Sequence, residues 1–107
     1  MEKYSIEKLK QMISSNPIII FGKGSKGNPQ CGFTLRAFDV FERLGSPYFV
    51  VNIFDDPSIK DNLVKITGWP TTPQIFIGGE FIGGSDIIIE LYNSGELEKK
   101  ISQLFNC

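Results

Sequence analysis

Apolar residues recur at Ile6, Leu9 and Ile13, and the pattern stops before Asn16–Pro17. This spacing predicts an amphipathic helix that ends ahead of the proline. Ile18, Ile19, Ile20 and Phe21 then form a β-branched, unbroken apolar run, which reads as a buried strand. Residues 22–30 carry three glycines, a proline and two lysines with no apolar period, and are read as a loop. Phe33, Ala37, Val40, Phe41 and Leu44 lie on one helical face, and Gly45 closes that helix as a left-handed cap. Residues 48–54 read as a second buried strand. Asp56–Pro57 is an N-cap followed by proline at the first helical position, opening a helix that turns Ile59, Leu63 and Ile66 inward.

Residues 74–77 and 80–82 flank Gly78–Gly79, the signature of a tight hairpin, which Gly83–Gly84 ends. Ser85 or Asp86 is placed to cap a helix running through Leu91. Gly95 interrupts it, and Leu97, Ile101, Leu104 and Phe105 continue on a final amphipathic helix. The order is α-β-α-β-α-β-β-α-α. An early βαβ unit followed by a hairpin predicts an α/β domain, with a four-stranded mixed sheet flanked by helices on both faces. With no linker or internal repeat, residues 1–107 form a single domain.

Composition narrows the function more than the fold. Eleven basic residues against twelve acidic ones give a formal net charge of −1 with no basic run, so nucleic acid is not an expected partner. The longest apolar run, residues 17–21, falls far short of the ~20 residues a membrane-spanning helix needs. A soluble protein without a membrane partner is expected. The N-terminus lacks the apolar core of a secretory signal and the Arg-rich bias of a transit peptide. A bacterial cytoplasm is the expected location, with an organelle matrix after processing as the other reading. The two cysteines, Cys31 and Cys107, do not make a disulfide framework, and this fits a reducing compartment. The absence of histidine removes Cys–His and Ser–His–acid catalysis and all imidazole metal ligation.

Attention therefore falls on Cys31, at the start of the helix that follows the glycine-rich loop. Unpaired N–H groups and the positive end of the helix dipole favour a thiolate there. Lys23 and Lys26, in the loop that must fold back over this terminus, are expected to add positive charge. A Cys-x-x-Cys site would place its resolving thiol at position 34, where this chain has Thr34. Cys31 must then resolve with an external thiol, with Cys107, or not at all.

Lys23-Gly24-Ser25 followed by Pro29-Gln30-Cys31-Gly32-Phe33-Thr34 resembles the monothiol glutaredoxin signature. Trp69-Pro70-Thr71-Thr72-Pro73-Gln74 resembles the family's segment before the third strand, and Gly83-Gly84-Ser85-Asp86 its segment opening the next helix. The resemblance implies a thioredoxin-like fold that binds glutathione. By that resemblance Lys23 and Lys60 pair with the glycine-end carboxylate, and Phe33 belongs to the site around Cys31. Pro73 matches the family's cis-proline, which presents the Thr72 backbone to an extended peptide. Gly84 permits close approach, the N–H groups of Ser85 and Asp86 receive the γ-glutamyl carboxylate, and Asp86 takes the ammonium.

Two function classes follow. A [2Fe–2S] cluster usually takes four thiolate ligands, which two chains and two glutathiones would supply, Cys31 being the metal ligand of each chain. The resemblance then implies a cluster-bridged homodimer that passes clusters to apo iron–sulfur acceptors, with BolA-like proteins as partners. The alternative is a glutathione-dependent oxidoreductase in which Cys31 works by a monothiol, deglutathionylating mechanism. The sequence departs from the family at Thr34, where serine is usual, and at Ser85, where many members have cysteine. Thr34 is expected to place its methyl beside the cluster site.

Overall fold

The computed structural model describes residues 3–105, and Cys107 lies outside them. In chain order the elements are α1 (Ile6–Ser15), β1 (Ile18–Gly22), two short strands β2 (Gly24–Ser25) and β3 (Asn28–Pro29), and α2 (Gly32–Leu44). Then come β4 (Phe49–Asn52), a one-turn 3-10 helix (Ile53–Asp55), α3 (Pro57–Thr67), β5 (Gln74–Ile77), β6 (Glu80–Gly83), α4 (Ser85–Ser94) and α5 (Glu96–Phe105).

The apolar run at 18–21 organises everything around it. All five residues of β1 are buried, and alternate side chains point to opposite faces of the sheet. Ile18 and Ile20 join Phe38, Phe41, Ile88 and Leu97 in one core. Ile19 and Phe21 join Leu9, Ile13, Ile59 and Leu63 in the other. α2, α4 and α5 therefore cover one face, α1 and α3 the other. The sheet order is β4-β1-β5-β6. β1 pairs with β4 in parallel and with β5 antiparallel, so β1-α2-β4 is the βαβ unit expected from the sequence. β5 and β6 form the hairpin, with Gly78 and Gly79 at φ 60° and 83° as a two-residue primed turn requires. This is the thioredoxin-like fold with a four-stranded mixed sheet. Among the described residues no helix is long and apolar enough to cross a membrane.

Three local expectations need correction. The segment 22–30 is an ordered β2–β3 hairpin, because Gly24, at φ 102°, lets the chain fold back until the Gln30 N–H donates to the Lys23 carbonyl at 2.8 Å. A side chain at Gly24 would meet the Asn28 carbonyl at 2.4 Å. The strand read over 48–54 is an edge strand of four residues. Asn52 ends it by accepting the Phe54 N–H at 3.0 Å, which starts the 3-10 turn, and Phe49 and Phe54 are both exposed. Finally, neither Ser85 nor Asp86 caps α4. Gly84 occupies the cap position, so the helix opens one residue early without a side-chain cap.

Candidate functional site

Cys31 sits at the N-cap of α2 with an extended backbone (φ −150°, ψ 137°), and its side chain makes no cap bond. Cys31 is half-buried, and the first-turn N–H groups of Thr34 and Phe33 converge on its sulfur. The backbone N–H of Thr34 does most to hold the thiol below its ordinary pKa range. The Phe33 N–H, the charge of Lys23 and the Thr34 hydroxyl act in the same direction, against an opposing cost of partial burial. The thiolate is thus favoured chiefly by main-chain donors at a helix terminus.

Thr34 also shapes the approach to the sulfur. It is fully buried, and its Oγ1 accepts the Lys23 N–H at 3.3 Å, tying the end of β1 to α2. Its Cγ2 lies so close to Gly22 that a Cβ there would be only 2.9 Å away. The methyl is therefore packed against β1. Lys26 departs from expectation. Its Nζ donates to the Tyr48 carbonyl at 3.3 Å and stands 4.0 Å from that ring's centroid, so Lys23 alone of the two lysines acts on the thiol.

A cleft of about 490 Å³ opens beside Cys31. Lys23, Phe33, Lys60, Thr72, Pro73, Gly84, Ser85 and Asp86 all line it with Cys31, whereas Lys26 and Thr34 do not. Lys23 comes from the turn after β1 and Lys60 from α3. On the other side, α4 presents its uncapped first turn at Gly84, with Ser85 buried and Asp86 exposed. Between the two sides runs the Thr72–Pro73 peptide, which is cis. The Thr72 hydroxyl is buried in this wall with no hydrogen-bond partner among the described residues.

Trp69, Pro70, Thr71 and Ile87 also line the cleft. Trp69 is 42% exposed and Ile87 38%, so each offers the cleft an apolar face rather than filling the core. Gln74 is the residue that sequence reasoning passed over as a strand position. It is fully buried, and its Nε2 donates to the carbonyls of Trp69 at 2.8 Å and Thr71 at 3.1 Å, while its Oε1 accepts the Thr67 hydroxyl at 3.0 Å. One amide thereby moulds the wall from residue 69 to 73. An uncharged polar residue among buried apolar neighbours in β5 was the available signal.

Residues 18–82 match the family profile of Glutaredoxin. Over 94 residues the chain is 38% identical to a ycf64-like monothiol glutaredoxin of Synechocystis, covering 88% of each protein. The chain belongs to the monothiol glutaredoxin family. It is also 40% identical over 99 residues to glutaredoxin 4 of Escherichia coli (strain K12), with 92% of this chain and 86% of that one covered. The crystal structure of the buckwheat glutaredoxin–glutathione complex superposes with a TM-score of 0.84 at 30% identity, over 95% of this chain and 91% of that chain. In this monothiol glutaredoxin the site has one thiol, two lysines on one side and open helix amides with a carboxylate on the other. Such a cleft suits an extended ligand carrying anionic ends, a cationic group and a sulfur near Cys31. Among the described residues no group of three or more His, Cys, Asp or Glu is placed to hold a metal ion.

Proposed function

We propose that the cleft binds glutathione and that two copies of the chain, each contributing Cys31 and one glutathione, carry a [2Fe–2S] cluster between them as cargo for apo iron–sulfur proteins. The observation that carries this reading is the convergence of Lys23, Lys60, Thr72, Ser85 and Asp86 around a single thiol. Glutathione has two carboxylates, one ammonium and one thiol. Lys23 and Lys60 suit the glycine-end carboxylate, the Thr72 main chain suits the extended peptide, and the α4 amides with Asp86 suit the γ-glutamyl end. The bound thiol is then directed toward Cys31.

Cys31 alone offers one of the four thiolates such a cluster usually takes, which is why the proposed carrier is a homodimer with exchangeable ligands. BolA-like proteins and apo acceptors are its proposed partners, and a reducing bacterial cytoplasm its proposed location. The half-buried, acidified thiol also supports a second reading as a monothiol oxidoreductase. There the Cys31 thiolate attacks the glutathione sulfur of a mixed disulfide, and the substrate leaves as a thiolate that takes up a proton. A second glutathione thiolate then attacks the Cys31–glutathione disulfide, releasing oxidised glutathione and the Cys31 thiolate.

Anaerobic reconstitution with iron, sulfide and glutathione separates the two readings. The carrier gives a coloured dimer with thiolate-to-iron charge-transfer absorption, which Cys31→Ser does not form. A colourless monomer that still deglutathionylates a peptide would replace the carrier with the enzyme.

A further inference from the structure

Asn52 ends β4 opposite Gly22 of β1, and its half-buried side chain reaches two segments at once. Its Oδ1 accepts the N–H of Gly24 at 3.0 Å and the N–H of Phe54, also at 3.0 Å. Gly24 directly follows Lys23 and is buried, so its N–H depends on this partner. Phe54 lies in the 3-10 turn that runs through the Asp56 cap into α3, the helix carrying Lys60. Lys23 and Lys60 line the same cleft from these two separate segments. A single carbonyl oxygen is thus the hydrogen-bonded link between the backbone beside one lysine and the backbone leading to the other.

We propose that Asn52 is a positioning residue that fixes the two lysines relative to each other and so sets the preference of the cleft for a ligand ending in a carboxylate. The inference rests on the reading of the cleft as a glutathione site. Asn52 need not touch the ligand. It acts because a carboxylate shared by two ammonium groups is held well only at one separation of their stems, and each stem rises from a backbone that Oδ1 restrains. Losing the acceptor leaves a buried N–H at Gly24 and frees the hairpin and the 3-10 turn to shift independently.

The test compares two reagents on the full chain: oxidised glutathione, and the same disulfide with both glycine-end carboxylates converted to carboxamides. Each exchanges with Cys31 to give a mixed disulfide and one equivalent of free thiol, and the equilibrium is read by mass spectrometry. The wild-type protein is expected to favour the carboxylate reagent about tenfold, the scale of one charged hydrogen bond. Asn52→Ala is expected to lose most of that preference while reacting with the carboxamide as the wild type does. Asn52→Asp, which keeps an acceptor oxygen at the same reach, is expected to recover it. An Asn52→Ala protein that retains the wild-type preference overturns the inference, and so does an equal loss toward both reagents, which marks a merely structural role. A wild-type protein indifferent to the carboxylate overturns the reading of the cleft itself, and the inference falls with it.

Discussion

The four residues from Cys31 to Thr34 carry two opposed effects on one sulfur. Partial burial penalises the thiolate, while the Thr34 and Phe33 amides, the Lys23 charge and the Thr34 hydroxyl favour it, and the donors prevail. Alkylation of Cys31 by iodoacetamide should therefore rise with pH about a midpoint below the ~8.5 of a free thiol. Thr34→Val removes only the smallest of these contributions, so its midpoint should move up but stay below the free-thiol value. The same depression has a signed consequence for stability. A group ionised more readily in the folded chain adds stability that is complete above the unfolded thiol's pKa and is lost as pH falls through the folded one. The urea stability of wild type relative to Cys31→Ser should accordingly grow from neutral to alkaline pH. A difference independent of pH would show that the sulfur is not acidified. Cys31 was legible at this scale because a lone cysteine at a helix start is conspicuous. The fate of the Thr34 methyl was not, since only the fold shows that Gly22 stands against it.

β1 and α2 meet at that contact, and the distance there makes the pairing testable between elements. A Cβ at Gly22 would lie 2.9 Å from Thr34 Cγ2 and 3.1 Å from Thr34 Oγ1, with both residues fully or nearly fully enclosed. Gly22→Ala should cost about 1–3 kcal/mol by overpacking. Thr34→Ser removes the nearer atom, so the double variant should be less destabilised than the sum of the singles by more than ~0.5 kcal/mol in urea unfolding. Strict additivity would mean that the helix shifts away instead. The major elements were legible because they carry a period: Ile59 and Leu63 mark α3, and the isoleucines of β1 need no context. β2 and β3 were not, because two-residue strands have no period and rest on the Gly24 fold-back and long-range bonds such as that of Asn52. The cap of α4 was missed for a related reason. Ser85 has the chemistry of a cap, but Gly83 at φ 141° turns the chain so that Gly84 arrives there first.

The cleft belongs to the whole molecule, since its lysines, its cis peptide and its open amides come from elements on both sides of β1. No local pattern assembles such a set; the spaced family motifs supplied it. The role of Gln74 in shaping residues 69–73 became visible only when β5 was seen to run beneath them. A ligand that bridges these elements binds the folded chain and not the unfolded one, so it must stabilise the whole. At ten times its dissociation constant, glutathione should add about 1.4 kcal/mol to the unfolding free energy. For a domain of this length that is a rise in melting temperature of about 6 °C. With a net charge of only −1, general attraction between protein and ligand contributes little, so the effect should be local to the cleft. Lys23→Ala and Asp86→Ala, at the two sides of the cleft where the proposed ligand would end, should each reduce the rise at fixed glutathione. Cys31→Ser should largely keep it, because in the proposed binding mode the protein holds the ends of the tripeptide. Lys99→Ala, far along the chain on α5 and outside the cleft, should leave it unchanged. A rise that survives loss of both Lys23 and Asp86 would mean that glutathione binds this fold somewhere other than beside Cys31.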